Sequence, residues 1–147
     1  MRVSVCTLGC KVNHYESQIL RRLFEERGDE LVPFGAPCDL AVIHSCAVTE
    51  ESSRKSRQMV RRARRISPDA VVAVVGCLTQ VEPESCPEAD IVLGNRDKTS
   101  LPALVDRVLA ERTPVYEHVA DCIVDVDGKT PQAIAEEILA SLGEKII

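Results

Sequence analysis

The sequence predicts an α/β protein with a mostly parallel sheet of five to six strands and helices on both faces. Three observations predict it. Short apolar segments bounded by Pro, Gly or Asp alternate with longer segments of helical periodicity. The strand candidates are almost continuously apolar, as strands covered on both faces of a parallel sheet must be. At 147 residues the chain can bury one sizeable core and is short for two.

Residues 3–7 read as a short buried strand. Tyr15, Ile19, Leu20, Leu23 and Phe24 then recur at helical spacing until Gly28 stops the helix. Residues 30–34, 40–44 and 70–75 are the second, third and fourth strands. Between the last two lies a helix over residues 50–66, entered through Thr49 and closed by Pro68. Residues 91–93 make a fifth strand, followed by a helix over 101–111 with Leu101, Leu104, Val105 and Val108 on one side. A soft boundary falls at residues 112–115. Beyond it, residues 122–126 are expected as a sixth strand. Thr130 would cap the last helix, Pro131 would take its first position, and Ile134, Ile138, Leu139 and Leu142 would form its buried stripe. The expected division is residues 1–111 as one domain and residues 112–147 as a strand-helix extension packing on it.

Aromatic residues make up only 3%, so the core must be built from Val, Ile, Leu and Ala, and a 45% apolar content argues against disorder. No apolar run approaches a membrane span, and residues 1–9 read as a strand rather than a cleavable signal, which leads to the expectation of a cytoplasmic protein. Seven cysteines are many for a compartment in which structural disulfides are rare, so metal binding, thiol chemistry or plain burial must explain them.

Cys10, Cys46 and Cys77 each stand just past the carboxyl end of a strand, which is the edge where open parallel sheets bind ligands. Gly9 and Gly76 precede two of them and permit close backbone approach. Thiolates suit iron-sulfur clusters and zinc. Structural zinc normally takes four ligands, and the chain has no CxxC pair, although His44 could complete such a site. A 4Fe-4S cluster held by three cysteines would leave one iron open. Cys6, Cys38, Cys86 and Cys122 lie in strands or loops without a shared geometry and read as ordinary packed thiols. Burial is the bland alternative for the other three as well.

The local sequence adds to this. Residues 7–17, Thr-Leu-Gly-Cys-Lys-Val-Asn-His-Tyr-Glu-Ser, resemble the opening of the tRNA methylthiotransferase family, in the branch that acts on N6-threonylcarbamoyladenosine. Ser45-Cys46-Ala47-Val48-Thr49, followed by Arg54-Lys55-Ser56-Arg57-Gln58, is similar to that family's second cysteine block. Val75-Gly76-Cys77-Leu78-Thr79-Gln80 is similar to its third, and Val92-Leu93-Gly94-Asn95 to a later segment. The resemblance covers about residues 1–111 and implies a three-layer flavodoxin-like, Rossmann-like domain. It also implies that Cys10, Cys46 and Cys77 bind an auxiliary 4Fe-4S cluster, which handles the sulfur inserted at carbon 2 of adenosine 37. Asn13 and Glu16 fall on positions that the family prefers, and the resemblance gives them a part in shaping the loop after Cys10.

There are departures from the family pattern. His44-Ser45 replaces the usual Asn-Thr before the second cysteine, and Leu78-Thr79 replaces Tyr-Ala after the third. The C-x3-C-x2-C motif of the radical S-adenosylmethionine step is absent: Cys6 and Cys10 supply its first half, with Asn13 in place of the third cysteine. The chain is therefore not expected to methylthiolate by itself, and the catalytic barrel that it lacks becomes an implied partner.

From Arg112, where the sequence reads Arg-Thr-Pro-Val-Tyr-Glu-His-Val-Ala-Asp, about residues 112–147 resemble the last strand and helix of shikimate kinases, where the residue matching Arg112 helps bind the substrate carboxylate. Kinase activity is not expected, because a P-loop needs G-x4-G-K-[ST] and Ile123 stands in place of its first glycine before Gly128-Lys129-Thr130. The chain could be a fusion of two α/β pieces, natural or engineered.

The chain carries a net charge of −5, yet Arg54, Lys55, Arg57, Arg61, Arg62, Arg64 and Arg65 follow one another without an intervening acid. On a helical projection they oppose Met59, Val60, Ala63 and Ile66. Such a stripe could meet tRNA phosphates through Arg54, Arg57, Arg61 and Arg64, dock the catalytic domain, or simply be solvated. The alternative to a cluster-binding domain is a catalytically silent α/β scaffold with reduced thiols.

Overall fold

The computed structural model describes residues 1–120 and 122–146. They divide into two compact units, Met1–Leu109 and Ala110–Ile147. In chain order the first contains β1 (Arg2–Thr7), α1 (Lys11–Glu26), β2 (Glu30–Val32), β3 (Leu40–Ser45) and α2 (Glu50–Ile66). It continues with β4 (Val71–Gly76), the short α3 (Cys77–Val81), β5 (Ile91–Leu93) and the start of α4 (Leu101–Val119).

All strand pairs are parallel, in the order β2-β1-β3-β4-β5. This is the doubly wound order in which the chain leaves β1 toward one edge and then returns to its other side. The switch point therefore lies between the carboxyl ends of β1 and β3. Thr7 pairs with His44, and Ser45 with Gly76, so three consecutive strand ends stand in line.

Side chains alternate across the sheet and sort into two cores. Val3, Val5, Leu40, Val42, Val71, Ala73, Val75 and Ile91 pack with Leu20 and Phe24 of α1 and with Leu101 and Val105 of α4. Ala41, Ile43, Val72 and Val74 face Val60 and Ala63 of α2 and Leu78 of α3. Burying each of the larger side chains contributes about 1.5–3 kcal/mol of gross stabilisation.

The helix ends follow from local chemistry. Thr49 Oγ1 accepts the Ser52 amide at 3.1 Å, Glu50 and Glu51 occupy the first turn of α2, and Arg64 and Arg65 its last, each complementing the helix dipole. After α1, Gly28 takes φ +91° and lets the Asp29 amide return to Phe24 O at 3.0 Å.

Three expectations are corrected. The second strand stops at Val32 rather than reaching residue 34, because Pro33 offers no N–H to a ladder. The boundary at residues 112–115 is helical: α4 continues through Pro114 to Val119. Residues 122–126 form no strand. There the Asp125 carboxylate accepts the Asp127 amide at 3.0 Å and Lys129 N donates to Val126 O, a local turn that takes up backbone groups a strand would pair.

In the second unit α5 (Pro131–Ile146) begins as expected, with Thr130 Oγ1 accepting the Ala133 amide at 3.2 Å. Of the stripe expected to be buried, Ile134 is half-buried, whereas Ile138, Leu139 and Leu142 are exposed. Asp121 of the Arg112-to-Asp121 pattern lies outside the described residues. Among those residues, no helix is long and apolar enough to cross a membrane.

Candidate thiol site at the carboxyl edge of the sheet

Cys10, Cys46 and Cys77 follow β1, β3 and β4, three adjacent strands on one edge of the sheet. Cys10 is exposed and occupies the N-cap of α1. Its thiol is held below the ordinary range, first by the Asn13 amide and then by that of Val12, which favour the thiolate at the helix start. Cys46 is buried. Its N–H donates to Ser56 Oγ at 3.1 Å and its carbonyl accepts from the same hydroxyl at 3.3 Å, so α2 grips the Cys46 backbone at both ends. Cys77 is half-buried at the start of α3, and its sulfur accepts from Asn95 Nδ2 at 3.4 Å.

Glycines let these loops close. Gly9 has φ +98°, and a Cβ there would lie 2.8 Å from both Cβ and Sγ of Cys46, so the turn before Cys10 rests directly on the Cys46 side chain. Gly76 has φ +114°, and a Cβ there would approach Ser45 O to 2.7 Å. The approach that the sequence suggested is thus present at both positions. Asn13 reinforces it: its buried amide nitrogen donates to Leu8 O at 2.8 Å and to Ser45 O at 3.1 Å, bridging the ends of β1 and β3.

Cys6, Cys38 and Cys86 behave as packed thiols of the core between the sheet and α2. Cys86 is buried and Cys6, Cys38 and Cys122 are half-buried; all seven are free. Burial raises the thiols of Cys6 and Cys86 above their ordinary range, opposite to Cys10. Among the described residues, no three His, Cys, Asp or Glu side chains stand close enough to grip a metal ion in this geometry.

His44 is fully buried, and its Nδ1 lies 2.8 Å from Ser17 Oγ, which in turn accepts from Thr7 Oγ1 at 2.7 Å. The direction of the Ser17–Nδ1 hydrogen bond follows the ring's tautomer; Nε2 finds no hydrogen-bond partner and stands 3.8 Å from Glu16 Oε2. Burial foremost, then the Lys98 charge, lowers the His44 pKa to about 4, against the opposing pull of Glu16. A neutral ring fixed through Nδ1 supports the strand ends.

The two departures from the family pattern are also internal. Ser45 Oγ donates to Val75 O at 2.8 Å, and the buried Thr79 hydroxyl reaches Gly76 O at 3.2 Å and Leu93 O. They tie strands together. Sequence reasoning missed Ser17, Ser56 and Lys98. The first two stood inside the quoted motifs, whereas Lys98 is a lone lysine in a loop with no signal of its own.

Of the basic stripe, Arg64 is spent in the fold. Its Nη1 donates to Pro68 O and Ala70 O at 3.0 and 2.8 Å, and its Nη2 to Glu88 O and Asp90 Oδ2 at 3.0 and 2.7 Å. Arg61 pairs with Glu88 at 3.0 Å and Arg57 stands 4.0 Å from Glu82. Arg54 and Arg65 are exposed.

The order of the strands defines a flavodoxin-type α/β domain, with Cys10, Cys46 and Cys77 standing past the carboxyl ends of β1, β3 and β4. The chain belongs to the uncharacterized protein family UPF0004, which matches residues 2–94. It is 42% identical over 116 residues to a threonylcarbamoyladenosine tRNA methylthiotransferase of Bacillus subtilis, covering 77% of this chain and 26% of that protein. A protein of the same name from Treponema pallidum is 35% identical over 156 aligned positions, covering 99% of this chain, tail included, and 30% of the relative. A tRNA-2-methylthio-N(6)-dimethylallyladenosine synthase of Mycobacterium ulcerans is 32% identical over 136 residues, 88% of this chain and 25% of the relative. The chain thus spans between a quarter and a third of these curated relatives. No solved structure matches it.

Proposed function

We propose that this chain is the auxiliary cluster-binding domain of a tRNA-modifying methylthiotransferase, with Cys10, Cys46 and Cys77 as the ligands of a 4Fe-4S cluster. The observation that carries the reading is the placement of three cysteines past adjacent strand ends, two of them directly preceded by glycines at which a Cβ would clash, one of those clashes being with Cys46 itself. Three thiols are a donor set that suits iron-sulfur clusters. Bound through three thiolates, such a cluster supplies an open iron at which exogenous sulfur can be held.

The chain's own residues do the rest. The amides at the start of α1 favour the Cys10 thiolate, Ser56 holds the Cys46 backbone, and Asn13 keeps the β1 and β3 loops together. Ligation would draw the exposed Cys10 loop toward Cys46 and Cys77. Neutral His44 and the hydroxyls of Ser45 and Thr79 keep the strand ends beneath fixed while the loops close.

The adenosine chemistry belongs to this reading through the names of the relatives, a cytoplasmic location is proposed with it, and the radical step is assigned to a separate catalytic domain. RNA phosphate contact is assigned to the exposed Arg54 and Arg61 with half-buried Arg57; Arg64 acts as a structural staple. Residues 112–147 are read as a helical extension of the same family chain, because the match to the Treponema pallidum relative runs through them.

The test is anaerobic reconstitution with iron and sulfide on the parent and on Cys10→Ala, Cys46→Ala and Cys77→Ala. The reading expects about four irons and brown colour in the parent, lost in each variant. A folded parent that takes up no iron leaves a silent scaffold with reduced thiols.

A further inference from the structure

Asn95 lies in the loop after β5, on no strand or helix that carries a cysteine, yet it touches the segment bearing Cys77 at two points. Its side-chain Nδ2 donates to Cys77 Sγ at 3.4 Å, and its backbone N–H donates to Gln80 Oε1 at 3.1 Å. The second contact needs the glycine before it, since a Cβ at Gly94 would lie 2.2 Å from that same Gln80 oxygen. The loop is thus clamped to α3 with the Asn95 amide beside the sulfur.

The amide's orientation is determined as well. Lys98 Nζ lies 3.3 Å from Asn95 Oδ1, and an ammonium group can only donate, so the carbonyl end faces Lys98 and the NH2 end must face Cys77. Lys98 is buried, and its charge is met by Glu16 of α1. Glu16 is on the helix that Cys10 caps. A continuous polar chain therefore runs from the Cys10 helix through Glu16, Lys98 and Asn95 to the Cys77 sulfur.

We infer that Asn95 is a positioning residue for the cluster, donating an N–H to the Cys77 thiolate, and that Lys98 paired with Glu16 sets the direction of that donation. The inference rests on the cluster reading above. An N–H donor to a ligating sulfur stabilises its negative charge, which tightens ligation and raises the reduction potential. A neutral thiol is a weak acceptor; a metal-bound thiolate is a strong one, so the contact gains most of its value on loading.

The experiment compares the parent with Asn95→Asp, Asn95→Leu, Lys98→Met and Lys98→Arg. Each is followed by thermal unfolding of the iron-free chain, chelator competition for iron after reconstitution, and the midpoint potential of the loaded chain. Both Asn95 variants and Lys98→Met are expected to lose iron to chelator at about 10–100-fold lower competitor concentration, with a more negative midpoint potential. Lys98→Arg, which keeps a donor for both Glu16 and Asn95, is expected to stay close to the parent.

If the parent binds iron and the folded Asn95 variants match it in affinity and potential, the positioning role is overturned while the cluster reading stands. A parent that binds no iron overturns both. Unfolding of one Asn95 variant leaves the decision to the other and to the Lys98 pair. If all of the Asn95 variants and Lys98→Met unfold, the residues are structural and the inference fails.

Discussion

At the scale of single residues, His44 shows how a position that looked like a metal ligand serves the fold. It sits beside Cys46 in sequence and could have completed a zinc site. Burial and then the Lys98 charge hold it neutral instead, with a pKa of about 4 against an ordinary 6.5. Because the folded value is the lower one, the unfolded chain takes up a proton that the folded chain refuses between those two values. The His44 contribution to stability is therefore complete above pH 6.5 and is lost progressively as pH falls toward about 4, by at most about 3 kcal/mol. Urea unfolding of the iron-free chain across that range should show the loss, and His44→Gln should flatten it. An equal slope in both proteins would mean that the ring is not kept neutral by the fold. The neighbouring buried polar residues follow the same logic: Ser45, Ser56 and Thr79 are satisfied by backbone groups at the strand ends, which is why they are tolerated there.

At the scale of elements, α2 carries two roles that its sequence did not separate. Its basic residues looked equivalent on a helical projection, but Arg64 donates to three backbone carbonyls and one carboxylate, joining α2 to the turns on either side of β4. Arg64→Ala is expected to destabilise the domain by about 1–2 kcal/mol in chemical unfolding, since the part-buried carbonyls of Ala70 and Glu88 lose a charged donor. Arg54→Ala should leave stability within about 0.5 kcal/mol while weakening any RNA binding, with the effect growing at low salt. The reverse ranking would exchange the two assignments. The termini of α2 were legible to the residue, because Thr49 is a side-chain cap and Pro68 bars extension. The end of α4 was not: Pro114 suggested a stop, yet the helix continues through it.

At the scale of the whole molecule, the parallel sheet, its two-faced burial and the placement of all three cysteines past strand ends were readable from near-continuous apolar runs of five or six residues. Strand order was not, because nothing local encodes which side of β1 the chain returns to. The sixth strand failed for a related reason. The apolar run at 122–126, broken only by Asp125, satisfies the pattern of a strand, but a strand exists only where a neighbour accepts its hydrogen bonds, and the Asp125 turn supplied a local alternative. The network of Glu16, Lys98 and Asn95 was out of reach for the sequence because Glu16 is far along the chain from the other two and meets them only when α1 and the loop after β5 are brought to the same sheet edge.

The central claim is that Cys10, Cys46 and Cys77 share one cluster with an open iron. Mössbauer spectroscopy of the chain reconstituted anaerobically with enriched iron tests it most directly. One 4Fe-4S cluster is predicted, with a single iron site that changes when sulfide or a small thiol is added and three that do not. A folded chain without iron, or iron that persists when all three cysteines are replaced by alanine, would contradict it.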